Sequence, residues 1–374
     1  MKWSWRIGRI AGIDVYLHAT FLILLAWVGF SHYLERSSLA DATDGLIFIA
    51  TLFVIVVLHE LGHALAARRY GIQTRDITLL PIGGVARLER MPEKPSQELV
   101  VAFAGPAVNL VLAGALFIGL SAAAGLAGFR NVQLVGGDIL AKLLWVNIAL
   151  AIFNLIPAFP MDGGRVLRAL LAMRMEYVRA THIAAIIGQG LALVFGFLGL
   201  FTNPFLVFIA LFVWLGASGE ASMVQMKSSL GGIPIHRVMI TEFRTLAPTS
   251  PLAEAVDHII AGFQQDFPVV EDGRVVGMLT RGDLFAALAQ RGNMAPVGEV
   301  MQRQFQTADP SEMAETVFAR LQECNCHSLP VVQDGRVVGI LTAENVGEFL
   351  MIQAALRGRT PPPLPPLPRQ TSER

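Results

Sequence analysis

The chain has 374 residues, of which 53% are hydrophobic and 16% are charged, and its formal net charge at pH 7 is zero. Because soluble domains carry about 25% charged residues, part of this chain is expected to lie in lipid. The absence of a basic surplus excludes nucleic acid from its predicted partners.

Six apolar segments are each long enough to cross a hydrocarbon core of roughly 30 Å, which takes about 20 helical residues. Pro157 and Pro160 interrupt the fourth segment. In chain order, the predicted spans are Val15–Leu34, Leu46–Ala67, Leu99–Leu126, Ile139–Ile156, Ala180–Phe201 and Pro204–Met223. The fold class predicted for residues 1–228 is therefore an α-helical polytopic membrane domain.

Cations are concentrated in alternate loops of this domain. Lys2 and Arg6 precede the first span, and the loops after the second and fourth spans are rich in arginine, including Arg68, Arg69 and Arg165. Because cytoplasmic loops carry an excess of Lys and Arg, both termini are predicted to be cytosolic. The short loops favour a multi-pass protein of a prokaryotic plasma membrane.

The loop from Thr74 to Glu89, between the second and third spans, is predicted to form a β-hairpin. Polar and apolar residues alternate along it, and Gly83 and Gly84 lie at or near its turn. One strand of this hairpin is expected to offer an open edge at the membrane surface.

The second span ends with the run His59-Glu60-Leu61-Gly62-His63. His59 and His63 are one helical turn apart, so both imidazoles can reach one metal ion, and zinc accepts such nitrogens. Glu60 points roughly 100° away from His59, where it can act as a general base on water. Three such groups on an apolar helix would be costly without a metal, so the run predicts a zinc site.

Asp162 is the best candidate for a third zinc ligand. It follows two prolines that break the fourth span, and the two glycines after it permit close approach. The alternative is that Asp162 only caps the following helix. Asn154, eight residues earlier, can donate a hydrogen bond to a substrate carbonyl or a developing oxyanion, or simply join two helices.

The two motifs together resemble those of the site-2 protease family of intramembrane zinc proteases, over about residues 10–226. The resemblance implies one catalytic Zn²⁺ per chain, held by His59, His63 and Asp162. It also implies that Glu60 is the catalytic base and that Asn154 helps to position the substrate.

Two further positions bear on this resemblance. Met161 stands where the family more often has Leu. Gly105 and Pro106 on the third span belong to a stretch that is also similar to the family, and they permit tight packing or a kink against the catalytic helices.

From residue 233 the chain reads like a soluble protein, and it repeats itself. Phe267–Gly277 recurs as Leu329–Gly339, at an offset of 62 residues. Each copy, 233–290 and 295–352, is predicted to form a helix, an apolar strand, an Asp-Gly turn, a second strand and a helix.

The two copies resemble a tandem pair of CBS domains, an α/β Bateman module that often binds adenosine nucleotides between its repeats. The ribose-binding signature is a Thr or Ser followed three residues later by Asp. Thr280 and Asp283 match it, whereas Thr342 is followed by Asn345, which accepts fewer hydroxyl hydrogen bonds than a carboxylate. The alternative is that the module only dimerises or holds the substrate.

The remaining C-terminal features are predicted to be inert. Cys324 and Cys326 are expected to be reduced thiols, because cysteines one residue apart rarely form a disulfide. The proline-rich residues 358–374 predict an extended or disordered tail.

We therefore predict a zinc metalloendopeptidase that cuts membrane-tethered proteins in or near their transmembrane segments, as in regulated intramembrane proteolysis, and is tuned by an adenosine nucleotide. Its predicted partners are membrane lipid, a second copy of the chain, and a tethered transcription regulator or its inhibitor. One alternative is a non-cutting zinc-binding scaffold or sensor, which would not need Glu60. The other is a Bateman-regulated metal transporter, which should show internal repeats across its spans.

Overall fold

An apolar helical bundle and a soluble α/β module divide the chain. In the computed structural model these are two compact units, Met1–Ala221 and Ser222–Arg374. The structure describes residues 3–36, 39–81, 83–89, 91–92, 94–124, 139–262, 264–324 and 326–356. The predicted disordered tail, 358–374, lies outside the described residues.

The described part of the first unit contains four short strands among its helices. The strands are β1 (Ser4–Ile10), β2 (Ile13–His18), β3 (Thr74–Leu80) and β4 (Gly83–Leu88). The helices are α1 (Ala19–Arg36), α2 (Leu39–Arg68), α3 (Pro95–Ala124), α4 (Ile139–Asn154), α5 (Asp162–Ala172), α6 (Tyr177–Phe201) and α7 (Phe205–Leu230).

The apolar helices agree with the predicted polytopic membrane fold. Among the described residues, four helices are long and apolar enough to cross a membrane, and they lie in α2, α3, α6 and α7. Two shorter apolar helices, Ala19–Val28 and Ile139–Asn154, correspond to the predicted first and fourth spans.

The predicted start of the first span is wrong. Val15 belongs to β2, and the helix begins only at Ala19. β2 pairs in parallel with β3, with Val15 opposite Ile77, and both side chains are buried. β-Branched residues fit such a pleated, packed surface well, and β1 and β3 satisfy the backbone groups of β2 on its two sides.

The hairpin predicted between the second and third spans is confirmed. β3 and β4 run antiparallel, with Leu79 opposite Gly84 and Leu80 opposite Gly83. They join β1 and β2 in one sheet of order β1-β2-β3-β4, so β4 forms one edge of it. This edge strand also contacts α2, the helix that carries His59 and His63.

The second unit contains the duplicated elements in the predicted order. The first copy comprises α8 (Leu252–Ala261), β5 (Phe267–Glu271), β6 (Arg274–Leu279) and α9 (Arg281–Arg291). The second comprises α10 (Ala314–Glu323), β7 (Ser328–Gln333), β8 (Arg336–Thr342) and α11 (Ala343–Leu356). Asp272-Gly273 and Asp334-Gly335 both have positive φ angles, as a two-residue hairpin turn requires.

The two copies exchange contacts reciprocally. A Cβ on Gly277 would approach Met301 Sδ to 2.5 Å, and a Cβ on Gly339 would approach Met239 Sδ to 2.6 Å. Each strand glycine therefore makes room for a methionine near the start of the other copy. This exchange makes the module one intertwined structure rather than two independent repeats.

The prediction of two reduced thiols is wrong in this structure. Cys324 and Cys326 form a disulfide, and their Cα atoms lie 5.2 Å apart. Cys324 is the C-cap residue of α10, and the distance between the two Cα atoms lies within the ordinary range for a disulfide.

Candidate metal centre and ligand cleft

The metal-binding motif lies on α2, the helix whose apolar stretch covers Thr43–Arg68. His59 is 7% exposed and His63 is 5% exposed, and the two rings meet edge to face with centroids 4.8 Å apart. One helical turn separates them, so their Nε2 atoms converge, 3.1 Å from each other. The predicted pairing of the two imidazoles on one helix face is present.

Asp162 reaches the same point from the break between α4 and α5. It is the first residue of α5, and Met161 occupies the N-cap position without a side-chain cap. A Cβ on Gly163 would lie 2.2 Å from the Ile156 carbonyl oxygen, so the connecting turn is too tight for any other residue there. The alternative that Asp162 serves only as a helix cap is not what this geometry shows.

The three ligand atoms form a nearly equilateral triangle. Asp162 Oδ2 lies 3.1 Å from His59 Nε2 and 3.1 Å from His63 Nε2. Ligands about 2.0–2.1 Å from a tetrahedral zinc ion lie about 3.3 Å apart, so the triangle has the size that zinc needs. Among the described residues, these three form the group that can hold a metal ion.

Helix α3 supports both imidazoles from behind. The Val101 carbonyl accepts a hydrogen bond from His63 Nδ1 at 2.7 Å, and Asn109 Oδ1 lies 3.2 Å from His59 Nδ1. The intervening Gly105 leaves the space in which the ligands meet, since a Cβ there would lie 2.2 Å from His63 Nε2. Val101, Gly105 and Asn109 are spaced four residues apart, so they form one stripe of the helix.

The hydrogen bonding at the two histidines fits a metal ion. A backbone carbonyl can only accept, so His63 carries its proton on Nδ1 and directs the Nε2 lone pair to the centre. His59 has the same arrangement toward Asn109 Oδ1. Two nitrogen lone pairs and a carboxylate oxygen therefore face one another, and a cation satisfies all three.

Glu60 lies beside the triangle rather than in it. It is half-buried, and its Oε2 accepts a hydrogen bond from Ala86 N in the edge strand β4 at 3.1 Å. A Cβ on Gly84 would lie 2.8 Å from Glu60 Cγ, so β4 packs directly on this side chain. The hairpin and the predicted general base are thus in contact, which the sequence did not indicate.

A buried charge cluster fixes α5, the helix that begins with Asp162. Arg168 is fully buried, and its Nε donates to Glu98 of α3 at 2.8 Å. A second nitrogen pairs with Glu220 of α7, and the guanidinium lies over the rings of Phe159 and Tyr177 at 5.1 and 5.0 Å. The cluster ties α5 to three other helices and to the turn that precedes Asp162.

Asn154 is placed less decisively than the other predicted site residues. It is the last residue of α4 and is half-buried. Its role in positioning a substrate stays a prediction.

The soluble module contains a cavity of about 940 Å³ within the second unit. Thr342 and Asn345 line it, together with Ile240 and Asp266. The Asn345 N–H donates to Thr342 Oγ1 at 3.1 Å, so the second copy keeps the turn of the ribose-binding signature. The open space therefore lies at the copy whose signature departs from the family pattern.

In the first copy, the signature residues hydrogen-bond to each other and to Gln302 of the second copy. Thr280 Oγ1 donates to Asp283 Oδ2 at 2.6 Å, and Gln302 Nε2 donates to the same oxygen at 2.9 Å. Neither Thr280 nor Asp283 lines the cavity described above. A ligand at this signature would have to displace Gln302.

The space left by Gly105 generates a test of the metal centre. We expect Gly105→Ala to lower the zinc content of the purified protein from one ion per chain to well below one, because the new methyl group would occupy the meeting point of the ligands. Zinc content is measured by atomic absorption on detergent-purified full-length protein.

Gly114→Ala on the same helix is the matched control. A Cβ at Gly114 meets nothing within 4 Å, so this variant should keep its zinc and gain about 1 kcal/mol of helix stability. Equal zinc contents in the two variants would contradict the assigned centre.

Comparison with known proteins supports both parts of the chain. The model of Peptidase family M50 matches residues 47–135 and 132–197, and the CBS domain model matches residues 235–290 and 297–351. A zinc metalloprotease of Methanocaldococcus jannaschii is 32% identical over 92% of this chain and 96% of its own length.

A solved structure of a site-2 protease from the same organism is 40% identical. It matches 59% of this chain and 95% of its own chain, with a TM-score of 0.44. The full-length relative carries the family assignment, because its similarity spans the bundle and the module together. The chain is thus an integral membrane zinc metalloprotease of peptidase family M50, the site-2 protease family, with two C-terminal CBS domains.

Proposed function

We propose that this protease hydrolyses peptide bonds within or beside the transmembrane segments of other membrane proteins. The observation that carries the proposal is that two members of the ligand triangle, His59 and His63, lie on α2, an apolar helix long enough to cross the bilayer. A centre held there can meet a substrate at membrane depth. The site-2 protease family acts on membrane-bound substrates, which agrees with this position.

His59, His63 and Asp162 are the proposed zinc ligands, and Glu60 is the proposed general base. Zinc held there supplies a Lewis acid that activates water and polarises the scissile carbonyl. Glu60 takes the proton of the attacking water and returns it to the leaving amine. Its half-buried position beside the triangle supports this role, while Asn154 is proposed to help position the substrate.

Strand β4 is the proposed docking site for the substrate backbone. A transmembrane helix hides its carbonyls, so it must unwind locally before cleavage, and an extended segment can add to an open sheet edge. β4 forms an edge of the four-stranded sheet, and its Ala86 N–H points away from β3 to Glu60. A substrate strand on this edge would lie next to the general base.

The CBS module is the proposed regulatory part. The cavity of about 940 Å³ is large enough for an adenosine nucleotide, for which Thr342 and Asn345 would contact the ribose. Thr280 and Asp283 are proposed for a second nucleotide. A second copy of the chain, docked through this module, is a further proposed partner.

The proposed setting is a prokaryotic plasma membrane with both termini in the cytosol. The alternation of cationic loops supports this orientation. The proposed substrate class is a membrane-tethered transcription regulator or its inhibitor, released by regulated intramembrane proteolysis. The module would then read a cytosolic nucleotide on the side where the released product acts.

Replacing the proposed general base distinguishes an active protease from a non-cutting zinc-binding scaffold. We expect Glu60→Gln to lower cleavage of single-span substrates by about 10²–10⁴-fold while one zinc ion per chain is retained, because only proton transfer is lost. Cleavage sites are mapped by mass spectrometry on purified protein in detergent.

Glu89→Gln is the matched control for this change. Glu89 is an exposed carboxylate just after β4, so its loss should leave cleavage unchanged. If wild-type protein with bound zinc cuts none of the substrates, the result favours the alternative of a non-cutting zinc-binding scaffold. If Glu60→Gln still cuts, the assignment of the base fails.

The edge-strand proposal predicts that Ala86→Pro lowers kcat/KM by about tenfold, because the outward N–H of Ala86, which a docked substrate carbonyl would take over from Glu60, is lost. The ladder to β3 should persist, since the Ala86 N–H is directed to Glu60. Ala86→Ser keeps the N–H and serves as control. Full activity in the proline variant would remove the strand-addition step.

The cleft proposal predicts that Asn345→Asp tightens binding of AMP or ATP by about 10–100-fold, because a carboxylate makes stronger hydrogen bonds to the ribose hydroxyls than an amide. Thr342→Val should weaken it. Binding is measured by calorimetry on the full-length protein.

The control for added charge is Asn293→Asp, at an exposed residue of the same module that does not line the cavity. If neither the wild type nor Asn345→Asp binds a nucleotide, the module has only a dimerisation or substrate-holding role.

A further inference from the structure

Two buried amides near the metal centre carry complementary, unpaired atoms. Asn109 of α3 and Asn147 of α4 are both 0% exposed. Within the described residues, Asn109 Nδ2 and Asn147 Oδ1 are buried without a hydrogen-bond partner. One is a donor and the other is an acceptor, and leaving either unsatisfied is unfavourable in an apolar interior.

Both amides lie at the same end of one helix–helix interface. Ala113 of α3 and Leu144 of α4 belong to a shared apolar cluster, which also contains Leu120 and Ala141. Asn109 lies one turn from Ala113, on the side away from Leu120. Asn147 lies nearly one turn from Leu144, on the side away from Ala141, so the two amides occupy the next layer of the interface.

The other amide atom of each asparagine is already hydrogen-bonded, which fixes which of the two can donate and which can accept. Asn147 Nδ2 donates to the Leu143 carbonyl at 2.8 Å, which leaves Oδ1 as the free acceptor. Asn109 Oδ1 is turned toward His59 Nδ1, 3.2 Å away, which leaves Nδ2 as the free donor. The two observed bonds therefore have the same sense, and only the link from Asn109 Nδ2 to Asn147 Oδ1 is missing between the His59 ring and the Leu143 carbonyl.

We propose that Asn147 is a positioning residue for the metal ligand His59, and that it acts by accepting a hydrogen bond relayed from Asn109 Nδ2 through one bridging water. This inference rests on the proposed zinc site. It assigns Asn147 a role that depends on its free acceptor and not on its bulk.

The amide orientation decides which tautomer His59 adopts. With Oδ1 toward the ring, His59 carries its proton on Nδ1 and offers the Nε2 lone pair to the metal. If the Asn109 amide were reversed, its Nδ2 would face the ring, and Nδ1 would have to accept. Nε2 would then carry the proton and could not bind zinc.

The test is a double-mutant cycle on zinc affinity, measured by competition with a chelator in detergent-purified full-length protein. We expect Asn147→Leu to weaken zinc binding about tenfold, as loss of an outer hydrogen bond to a ligand does. Asn109→Leu should weaken it about 10–100-fold. The double variant should be no weaker than Asn109→Leu alone, because both changes break one relay.

Two further variants separate positioning from packing. Asn147→Thr keeps an acceptor and can still donate to the carbonyl four residues earlier, so it should restore zinc affinity to near the wild-type value. Thr181→Val removes a comparable buried bond in α6, from Thr181 Oγ1 to the Tyr177 carbonyl at 2.9 Å, and should leave zinc affinity unchanged.

The outcomes are distinct. Wild-type zinc affinity in Asn147→Leu, or fully additive losses in the double variant, would overturn the relay while the zinc site stands. A loss of affinity in Thr181→Val equal to that in Asn147→Leu would also overturn it, because general destabilisation would explain both. Absence of zinc binding by the wild type would overturn the proposed metal site itself.

Discussion

Two imidazole nitrogens and a carboxylate oxygen meet within 3.1 Å of one another inside an apolar bundle. Such electron-rich atoms repel at this distance, and the low dielectric of the interior strengthens the repulsion. A cation relieves it, and the surrounding fold must hold the three groups in place for that cation. Gly105 leaves the necessary space, and the Val101 carbonyl and Asn109 orient the two rings.

The need to hold Asp162 in place beside the two imidazoles also explains the buried charges of α5. Arg168 binds Glu98 and Glu220, which lie on different helices, and it does so with almost no exposure to solvent. A buried ion pair adds little net stability, because desolvation offsets the attraction, but losing one partner is costly. Its effect here is to fix one position of α5, and thereby of Asp162 at its first turn.

Duplication in the second unit produced two unequal sites. Gln302 reaches Asp283, whereas Ile240, which lies 62 residues before Gln302, carries no polar group and lines the open cavity instead. The copies nonetheless remain joined at their shared centre, where Ser328 Oγ donates to Asp266 Oδ2 at 2.8 Å. The two copies thus differ in the side chain at these equivalent positions, and the large cavity lies at the second copy's signature, whereas the signature residues alone favoured the first.

The sequence by itself determined the apolar spans, the duplication, the β3–β4 hairpin and the spacing of His59 and His63, because each is a periodicity or repeat within one stretch of chain. Only the tertiary structure decided which distant residues pair with these elements and with the site residues. Arg168 and Glu98 are 70 residues apart, Glu60 and Ala86 are 26 apart, and β2 pairs with the distant β3 as well as with the neighbouring β1. Such partners depend on how distant elements pack, and local pattern does not encode that.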